Sequence, residues 1–310
     1  MKNSLIFYGL LFFSKKDINP NFKVKSFNKK YEILLKNAYN LANSLKKQKL
    51  KFVLLTNSLE KIRKFKKINF IVKKINFKKK ISSNTPFYTA HYKLDVFRYF
   101  EKQKHICCLL DLDVVAINKI SKHLIIAKNK NINLVYDLND QRDKSYNSKI
   151  IKTLKLCNNL NNNYPNWYGG EFIFGNRFFF REINNKIKII YPKYIKNLDA
   201  IHHIGDETIV NAALQIMKKE KKIKFKDIAK KKVIARYWSI NTKHKQKELD
   251  YLFKNCFLLH LPADKVFLSN IDVHKMNYSD IRMRYKIHVY SFKNKLINKI
   301  KLLVNLLKNV

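Results

Sequence analysis

Two aspartates, Asp111 and Asp113, follow a wholly apolar run and are separated by one residue. The run at 106–110 reads ICCLL, and the chain turns apolar again at 114–116. Buried strands read as short apolar runs, and an unpaired carboxylate is expensive to bury. The simplest partner for two carboxylates in this setting is a divalent cation. The alternative is a strand end whose aspartates cap the next helix.

Strand and helix patterns alternate along the chain, which is typical of an α/β fold. Strands are predicted at 4–13, 51–56, 70–77, 106–111, 132–137, 167–174 and 256–261. Helices are predicted at 29–48, 59–67, 88–102, 117–125, 148–158, 178–196 and 206–219, with an Asn-rich loop at 159–166. This order predicts a mostly parallel central sheet flanked by helices. Ligands of such sheets bind at the carboxyl ends of strands, where Asp111 and Asp113 lie.

The charge of the chain is strongly positive, +43, and comes mostly from lysines spread over the whole sequence. Proteins that read nucleic acid concentrate Arg and aromatic residues on one face. The sequence has no such module and no zinc-finger spacing, so we expect no specific nucleic-acid partner. The charge should still attract phosphates and acidic lipid.

The cysteines and the apolar runs indicate where the chain resides. Its four cysteines show no C-x-x-C spacing, which suits a reducing cytoplasm. No apolar run approaches the length of a membrane span. The apolar segment at 4–13 is read as a first buried strand, with a signal peptide as the alternative. We therefore expect a cytoplasmic protein, with a peripheral position at the inner face of the membrane as a further option.

A second pair of charged residues lies on the predicted helix that leads into the 106–111 strand. Asp95 and Arg98 are three residues apart, so they share one face of that helix. Without a ligand they would form an ordinary surface ion pair of little energetic weight. With a ligand at the strand end, the same pair could contribute to a binding site.

With Asp95, Arg98, Asp111 and Asp113 the chain resembles the GT-A fold glycosyltransferases that carry an Asp-x-Asp motif. In the subset with sugar-transferring toxins and mannosyltransferase-like enzymes, a helix bearing Asp-x-x-Arg precedes Asp-x-Asp at similar spacing. The family 8 galactosyltransferase-like enzymes give a second resemblance, in the blocks WYGGE at 167–171 and GDETIVN at 205–211. Their late metal-binding His and Lys resemble His260 and Lys265, although HLPADK stands where that family has Gly-x-x-Lys-Pro-Trp.

This resemblance implies a retaining transfer of a hexose from a nucleotide sugar, a UDP-hexose above all, to a glycan or lipid-linked acceptor, as in polysaccharide biosynthesis. Mn²⁺ or Mg²⁺ would neutralise charge on the diphosphate leaving group. The implied metal ligands are Asp111, Asp113 and His260. The implied donor-binding residues are Asn57, Lys93, Asp95, Arg98, Asp111, Leu112, Gly169, Gly170 and Lys265. Asp206 and Glu207 would face the acceptor, and one of them would be the general base if the reaction inverted configuration.

Two other functions remain open from the sequence. A nucleotidyltransferase of related fold would carry a Gly-rich, Arg-containing loop after the first strand, but residues 9–20 hold one Gly and no Arg. A basic protein that binds nucleic acid or membrane without enzymatic activity would need neither Asp111 nor Asp113.

The C-terminal segment differs in pattern from the rest. Apolar and basic residues alternate from 281 to 290, which predicts a strand with one solvated face. From Phe292 apolar residues recur at helical spacing, and no acidic residue follows Asp280. A basic amphipathic helix is typical of a membrane-surface element, and a helix packed on the domain is the alternative. We therefore expect a catalytic domain at 1–280 and a basic strand and helix at 281–310.

Overall fold

The computed structural model describes residues 4–15, 22, 24, 26–66, 68–158, 165–240, 242–291, 295, 296, 299, 300 and 304. The strands are β1 (Leu5–Leu11), β2 (Lys51–Thr56), β3 (Ile71–Lys74), β4 (Ile106–Leu110), β5 (Val114–Ala116), β6 (Asn133–Asp137), β7 (Tyr168–Gly175), β8 (Phe225–Asp227), β9 (Ile234–Arg236) and β10 (Leu258–His260). The helices are α1 (Phe27–Lys46), α2 (Leu59–Arg63), α3 (Lys93–Phe100), α4 (Lys122–Asn129), α5 (Asn147–Asn158), α6 (Arg177–Lys196), α7 (Asp206–Glu220), α8 (Leu249–Asn255), α9 (Lys265–Asn270) and α10 (Tyr278–Tyr290). Short 3-10 turns lie at Tyr88–Tyr92, Lys144–Tyr146, Leu198–Ala200, Ala229–Lys231 and Val273–Lys275.

A seven-stranded sheet in the order β3-β2-β1-β4-β7-β6-β8 forms the centre of the fold. All neighbours pair in parallel except β7, which is antiparallel to both β4 and β6. Helices pack against the sheet in one large hydrophobic core, and every residue of β4 is buried within it. The predicted α/β fold with a mostly parallel, helix-flanked sheet is confirmed.

A second, three-stranded sheet in the order β5-β10-β9 stands beside the first. Strand β5 begins one residue after Asp113, and its Val114 pairs with His260 at the end of antiparallel β10. On the other side of β10, His260 pairs with Arg236 of parallel β9. The small sheet therefore places His260 beside the paired aspartates and Arg236 next to His260.

The predicted strand at 281–290 is wrong, because the structure forms helix α10 there. Asn277 and Asp280 form a reciprocal capping box at its start, which satisfies free backbone amides of the first turn. Of the alternating apolar residues, Ile281 and Tyr285 are buried, four positions apart, and both pack in a second small core. That spacing is one face of a helix, which explains why the period-two pattern misled.

Most of the predicted helix beyond α10 lies outside the described residues. This applies to Phe292, Leu303, Leu307 and Val310 of its apolar stripe, as it does to 159–164 of the predicted Asn-rich loop. The division of the chain at residue 280 stays a prediction. Within the described ranges no helix is both long and apolar enough to span a membrane.

Candidate functional site

Three side chains with metal-binding groups converge where β4 ends. Asp111, Asp113 and His260 each offer one ligand atom, and these atoms lie within 4.8 Å of one another. Nε2 of His260 lies 3.3 Å from Oδ1 of Asp113 and 3.9 Å from Oδ2 of Asp111. Two carboxylates with one imidazole suit a divalent cation such as Mn²⁺ or Mg²⁺, for which oxygen ligands are preferred.

Each aspartate divides its two oxygens between a lysine and the imidazole. Lys93 Nζ lies 2.6 Å from Oδ1 of Asp111, and Lys265 Nζ lies 2.6 Å from Oδ2 of Asp113. Burial alone would raise the pKa of Asp113, but Lys265 and His260 outweigh it and hold the pKa far below its usual range. Both aspartates thus keep one carboxylate oxygen turned towards His260 and available as a ligand.

Glu171 holds the other side of His260, a role that sequence reasoning missed. Its side chain is fully buried in β7 and its Oε1 lies 3.3 Å from Nδ1 of His260. Arg236 donates to both of its oxygens, from Nε at 2.8 Å and from Nη2 at 2.7 Å. Burial would raise the pKa of Glu171, but Arg236 and His260 together lower it to about 2. A charged residue inside the buried strand YGGEFIFG was the available signal, since such a charge needs a partner.

Asp206 and Glu207 open α7 at the same place but have different surroundings. Glu207 accepts hydrogen bonds from the backbone of Gly170 at 3.0 Å, from Trp167 Nε1 at 3.2 Å and from Arg236 Nη2 at 3.1 Å. Burial would raise its pKa, but Arg236 and His203 keep it well below its usual range. Burial raises the pKa of Asp206 to about 6, although Lys93, 3.2 Å away, opposes that rise. Asp206 is the more basic of the two carboxylates.

Gly169 and Gly170 of β7 lie against Glu171 and the acids of α7 rather than in the lining of the cleft. A Cβ on Gly170 would lie 2.9 Å from Oδ2 of Asp206 and 3.0 Å from Cγ of Glu207. A Cβ on Gly169 would lie 2.1 Å from Oε2 of Glu171. Both positions exclude side chains because the acids come so close, which gives the glycines a clear purpose in the site.

Five of the predicted donor-binding residues, the two glycines among them, are not brought into the lining of the cleft. Both polar ends of the Asn57 amide are used on the backbone of Phe13, at 2.8 and 3.0 Å. Asp95 is buried; it accepts from the Lys79 backbone at 3.0 Å and lies 3.0 Å from Nη2 of Arg98. A donor role for Asn57, Asp95 and Arg98 stays a prediction.

A cleft of about 580 Å³ opens over the site, a size typical of small-ligand pockets. Of the predicted site residues it is lined by Lys93, Asp111, Leu112, Asp113, Asp206, Glu207, His260 and Lys265. Its wall also includes Arg236 and two tryptophans, Trp167 and Trp238. The cleft therefore combines the candidate cation ligands, Lys93, Lys265 and aromatic surfaces at one edge of the sheet.

The sequence matches no protein-family model and no curated protein. Similar solved structures include the galactosyltransferase LgtC in complex with donor and acceptor sugar analogs, at 12% identity and a TM-score of 0.49, covering 90% of this chain and 99% of that chain. An active-site mutant of LgtC is similar at 12% identity and a TM-score of 0.47, covering 83% of this chain and 86% of that one. The bifunctional glycosyltransferase WbbM is similar at 11% identity and a TM-score of 0.48, covering 91% of this chain and 52% of that one. These neighbours belong to the class expected from the sequence motifs, but a likeness this remote assigns no activity by itself.

Proposed function

We propose that this protein is a metal-dependent glycosyltransferase that moves a hexose from a nucleotide sugar, a UDP-hexose, to a glycan or lipid-linked acceptor. The observation that carries the proposal is the convergence of Asp111, Asp113 and His260 at the carboxyl end of β4, inside a ligand-sized cleft. A cation held there would act as a Lewis acid towards a diphosphate leaving group.

Lys93 and Lys265 suit the same substrate. Each lies against one of the paired aspartates and lines the cleft. Two ammonium groups beside the cation ligands can pair with the oxygens of a diphosphate through charge-assisted hydrogen bonds. The site thus offers positive charge where a nucleotide sugar carries its negative charge, and this favours a nucleotide-sugar donor over a neutral one.

The arrangement of the two acids favours retention of configuration. An inverting reaction needs a general base in reach of the acceptor hydroxyl. Glu207 is occupied by Gly170, Trp167 and Arg236, and Asp206 lies 3.2 Å from Lys93. Neither carboxylate is a free base, so we assign Asp206 to orienting the acceptor and Glu207 to holding the wall of the cleft. The anomeric configuration of the product, read by NMR, tests this assignment.

A screen of UDP-sugars for hydrolysis, with and without Mn²⁺ or Mg²⁺, tests the activity. We expect release of UDP only with the cation, and a loss of about a hundredfold or more in Asp113→Asn, because transition-state charge would lose its counter-ion. Asp199→Asn, which removes an exposed carboxylate on a short 3-10 turn, is the matched control and should keep full activity. Equal hydrolysis after chelation of all divalent cations would exclude the metal role.

An anionic membrane surface fits α10 as a further partner. Met283 and Ile287 are 62% and 63% exposed one helical turn apart, and Tyr290 is 46% exposed at the next turn. Basic residues flank them and no acidic residue follows Asp280, the pattern of a helix that lies on anionic lipid. Such a surface would hold the enzyme near a lipid-linked acceptor, at the inner face of the membrane.

Vesicle flotation tests this surface. The protein should float with phosphatidylglycerol vesicles and much less with phosphatidylcholine vesicles, because both charge and apolar contact contribute. The double variant Met283→Gln/Ile287→Gln should lose most of the binding, whereas Ile71→Gln, an equally exposed apolar residue at the edge of the main sheet, should not. Flotation that is unchanged in the double variant would reject α10 as the contact.

A further inference from the structure

One part of the cleft is built from histidines, aromatic rings and a single arginine. We call it the histidine wall, and it comprises Arg142, Tyr146, His202, His203, Trp238 and His244. Its rings come in pairs: Tyr146 with His202 at 5.6 Å between ring centroids, and Trp238 stacked on His244 at 5.6 Å and 16°. His203 adjoins the proposed transfer site, since its Nε2 lies 3.2 Å from Oε2 of Glu207.

Arg142 forms no ion pair with the described residues, although the charge of Asp137 is near enough to act on it. Arg142 lines the cleft, and its Nη1 is shielded from solvent without a hydrogen-bond partner among the described residues. Burial lowers the pKa of Arg142, and the charge of Asp137 opposes this only in part. The carboxylate of Asp137 accepts hydrogen bonds from the backbone amide of Asn139 and from the side-chain amide of Asn166. A buried donor without a partner is costly, and a ligand that supplies an acceptor removes that cost.

Trp238 adds a second donor of the same kind. Its indole Nε1 is also shielded from solvent and has no partner within the described part of the chain. The acids that line the cleft are Asp111, Asp113, Asp206 and Glu207, and of these Glu207 lies against His203 of the wall. The wall therefore presents hydrogen-bond donors and ring faces, and Arg142 Nη1 and Trp238 Nε1 lack a described partner.

We propose that the histidine wall is the acceptor subsite and that the acceptor sugar carries an anionic group, a phosphate or a carboxylate, which Arg142 binds. This inference rests on the proposed glycosyl transfer, because only that reaction requires a second sugar beside Asp206 and Glu207. Sugar rings pack on aromatic faces such as Trp238 through their apolar C–H surfaces. A guanidinium recognises phosphate and carboxylate alike by paired, charge-assisted hydrogen bonds.

The test is ligand-observed NMR on the full chain at physiological salt. The buffer contains UDP and Mg²⁺, and no Mn²⁺. The probes are methyl glucoside and methyl galactoside, their 6-phosphates and the corresponding methyl uronides. We expect the anionic member of at least one set to bind about tenfold or more tightly than its neutral match. Comparison of the 6-phosphate probes with the uronide probes shows which anion the subsite binds.

Variants separate this subsite from the general positive charge of the protein. Arg142→Gln should reduce the anionic preference to about threefold or less, and Arg142→Lys should retain part of it, because a lysine keeps the charge but not the paired donors. Lys152→Gln removes an exposed charge on neighbouring α5 and should leave the preference intact. Equal binding of neutral and anionic probes, or a preference that Arg142→Gln and Lys152→Gln leave equally unchanged, overturns the inference.

The proposed function fails in a different way. Absence of cation-dependent UDP-sugar hydrolysis in the native protein contradicts glycosyl transfer itself. Hydrolysis that proceeds normally while the probes show no anionic preference contradicts only the acceptor subsite. A misfolded Arg142→Gln would be recognised by its melting curve, and the native protein and Arg142→Lys would still decide the outcome.

Discussion

Replacement of Arg236 by methionine should destabilise the fold strongly. The guanidinium donates to Glu171 at 2.8 and 2.7 Å and to Glu207 at 3.1 Å, and Glu171 has no exposed surface. Breaking one side of a buried ion pair leaves an uncompensated charge and costs about 3–5 kcal/mol. Methionine keeps most of the apolar stem, so the loss measures the charge rather than a cavity. We expect the free energy of unfolding of Arg236→Met to fall by that amount.

The double variant Glu171→Gln/Arg236→Met also removes the charge of Glu171 and should recover part of this loss, while Glu207 still lacks its contact with Arg236. Urea unfolding followed by circular dichroism measures all three proteins. Arg284→Met, at an exposed position of α10, is the control and should change stability by about 0.5 kcal/mol at most. A single variant as stable as the control, or a double variant no better than the single, would refute a role for Arg236 as the counter-ion of Glu171.

The same variants test how the cation site is held. Glu171 lies 3.3 Å from Nδ1 of His260, and partners of this kind orient a metal-binding imidazole through its second nitrogen. Glu171→Gln alone should weaken Mn²⁺ binding by about 10- to 100-fold, measured by titration calorimetry at constant pH. Unchanged affinity would show that the small sheet alone orients His260.

Three further predictions concern other parts of the fold. Burial lowers the pKa of His91 from 6.5 to about 4. Between these values the folded state binds fewer protons than the unfolded state, so the free energy of unfolding should fall by about 3 kcal/mol as the pH drops through that window. The variant His91→Gln should flatten the pH dependence of the free energy of unfolding measured in urea. Asp264 accepts from Ser239 at 2.6 Å and from Tyr285 at 2.7 Å, so Asp264→Asn should cost about 1–3 kcal/mol and speed amide exchange in α10; unchanged exchange would show that these bonds do not anchor the helix. Gly170→Ala would press a Cβ against the acids of α7 and should lower transfer about tenfold to a hundredfold with little change in melting temperature; full activity would mean that the acids can move aside.

The main strands were predictable because a buried parallel strand is a short, continuous apolar run in the sequence. KFVLLT became β2 at the predicted residues, and ICCLL became β4. The three-residue strands β5, β8 and β9 were not predicted, since so short a segment carries no period. Helix α10 was missed although Asn277 and Asp280 stand at the spacing of a capping box. This signal for a helix start outweighs the apolar alternation that follows it.

The convergence of the three candidate cation ligands was predictable from the sequence, and the residues around them were much less so. Asp111, Asp113 and His260 carry recognisable chemistry, and the structure brings them together. Arg236 lies on a short strand in a run of no distinctive pattern, and only the ladder with β10 places it beside Glu171. Asn57 is the opposite case. A polar residue at a strand end can hydrogen-bond to the backbone, as Asn57 does to Phe13, as well as to a ligand.

The small three-stranded sheet also ties the site to the order in which the chain folds. Asp113 and Lys265 are 152 residues apart, and the amide of Leu261, close to Lys265 in sequence, donates to the carbonyl of Asp113 at 2.9 Å. Contacts so distant in sequence form only after the intervening chain has closed. The three candidate cation ligands therefore do not exist as a set in any partly folded chain that lacks β10. A bound cation should slow the local opening of this sheet, visible as hydrogen-exchange protection of the Leu261 amide.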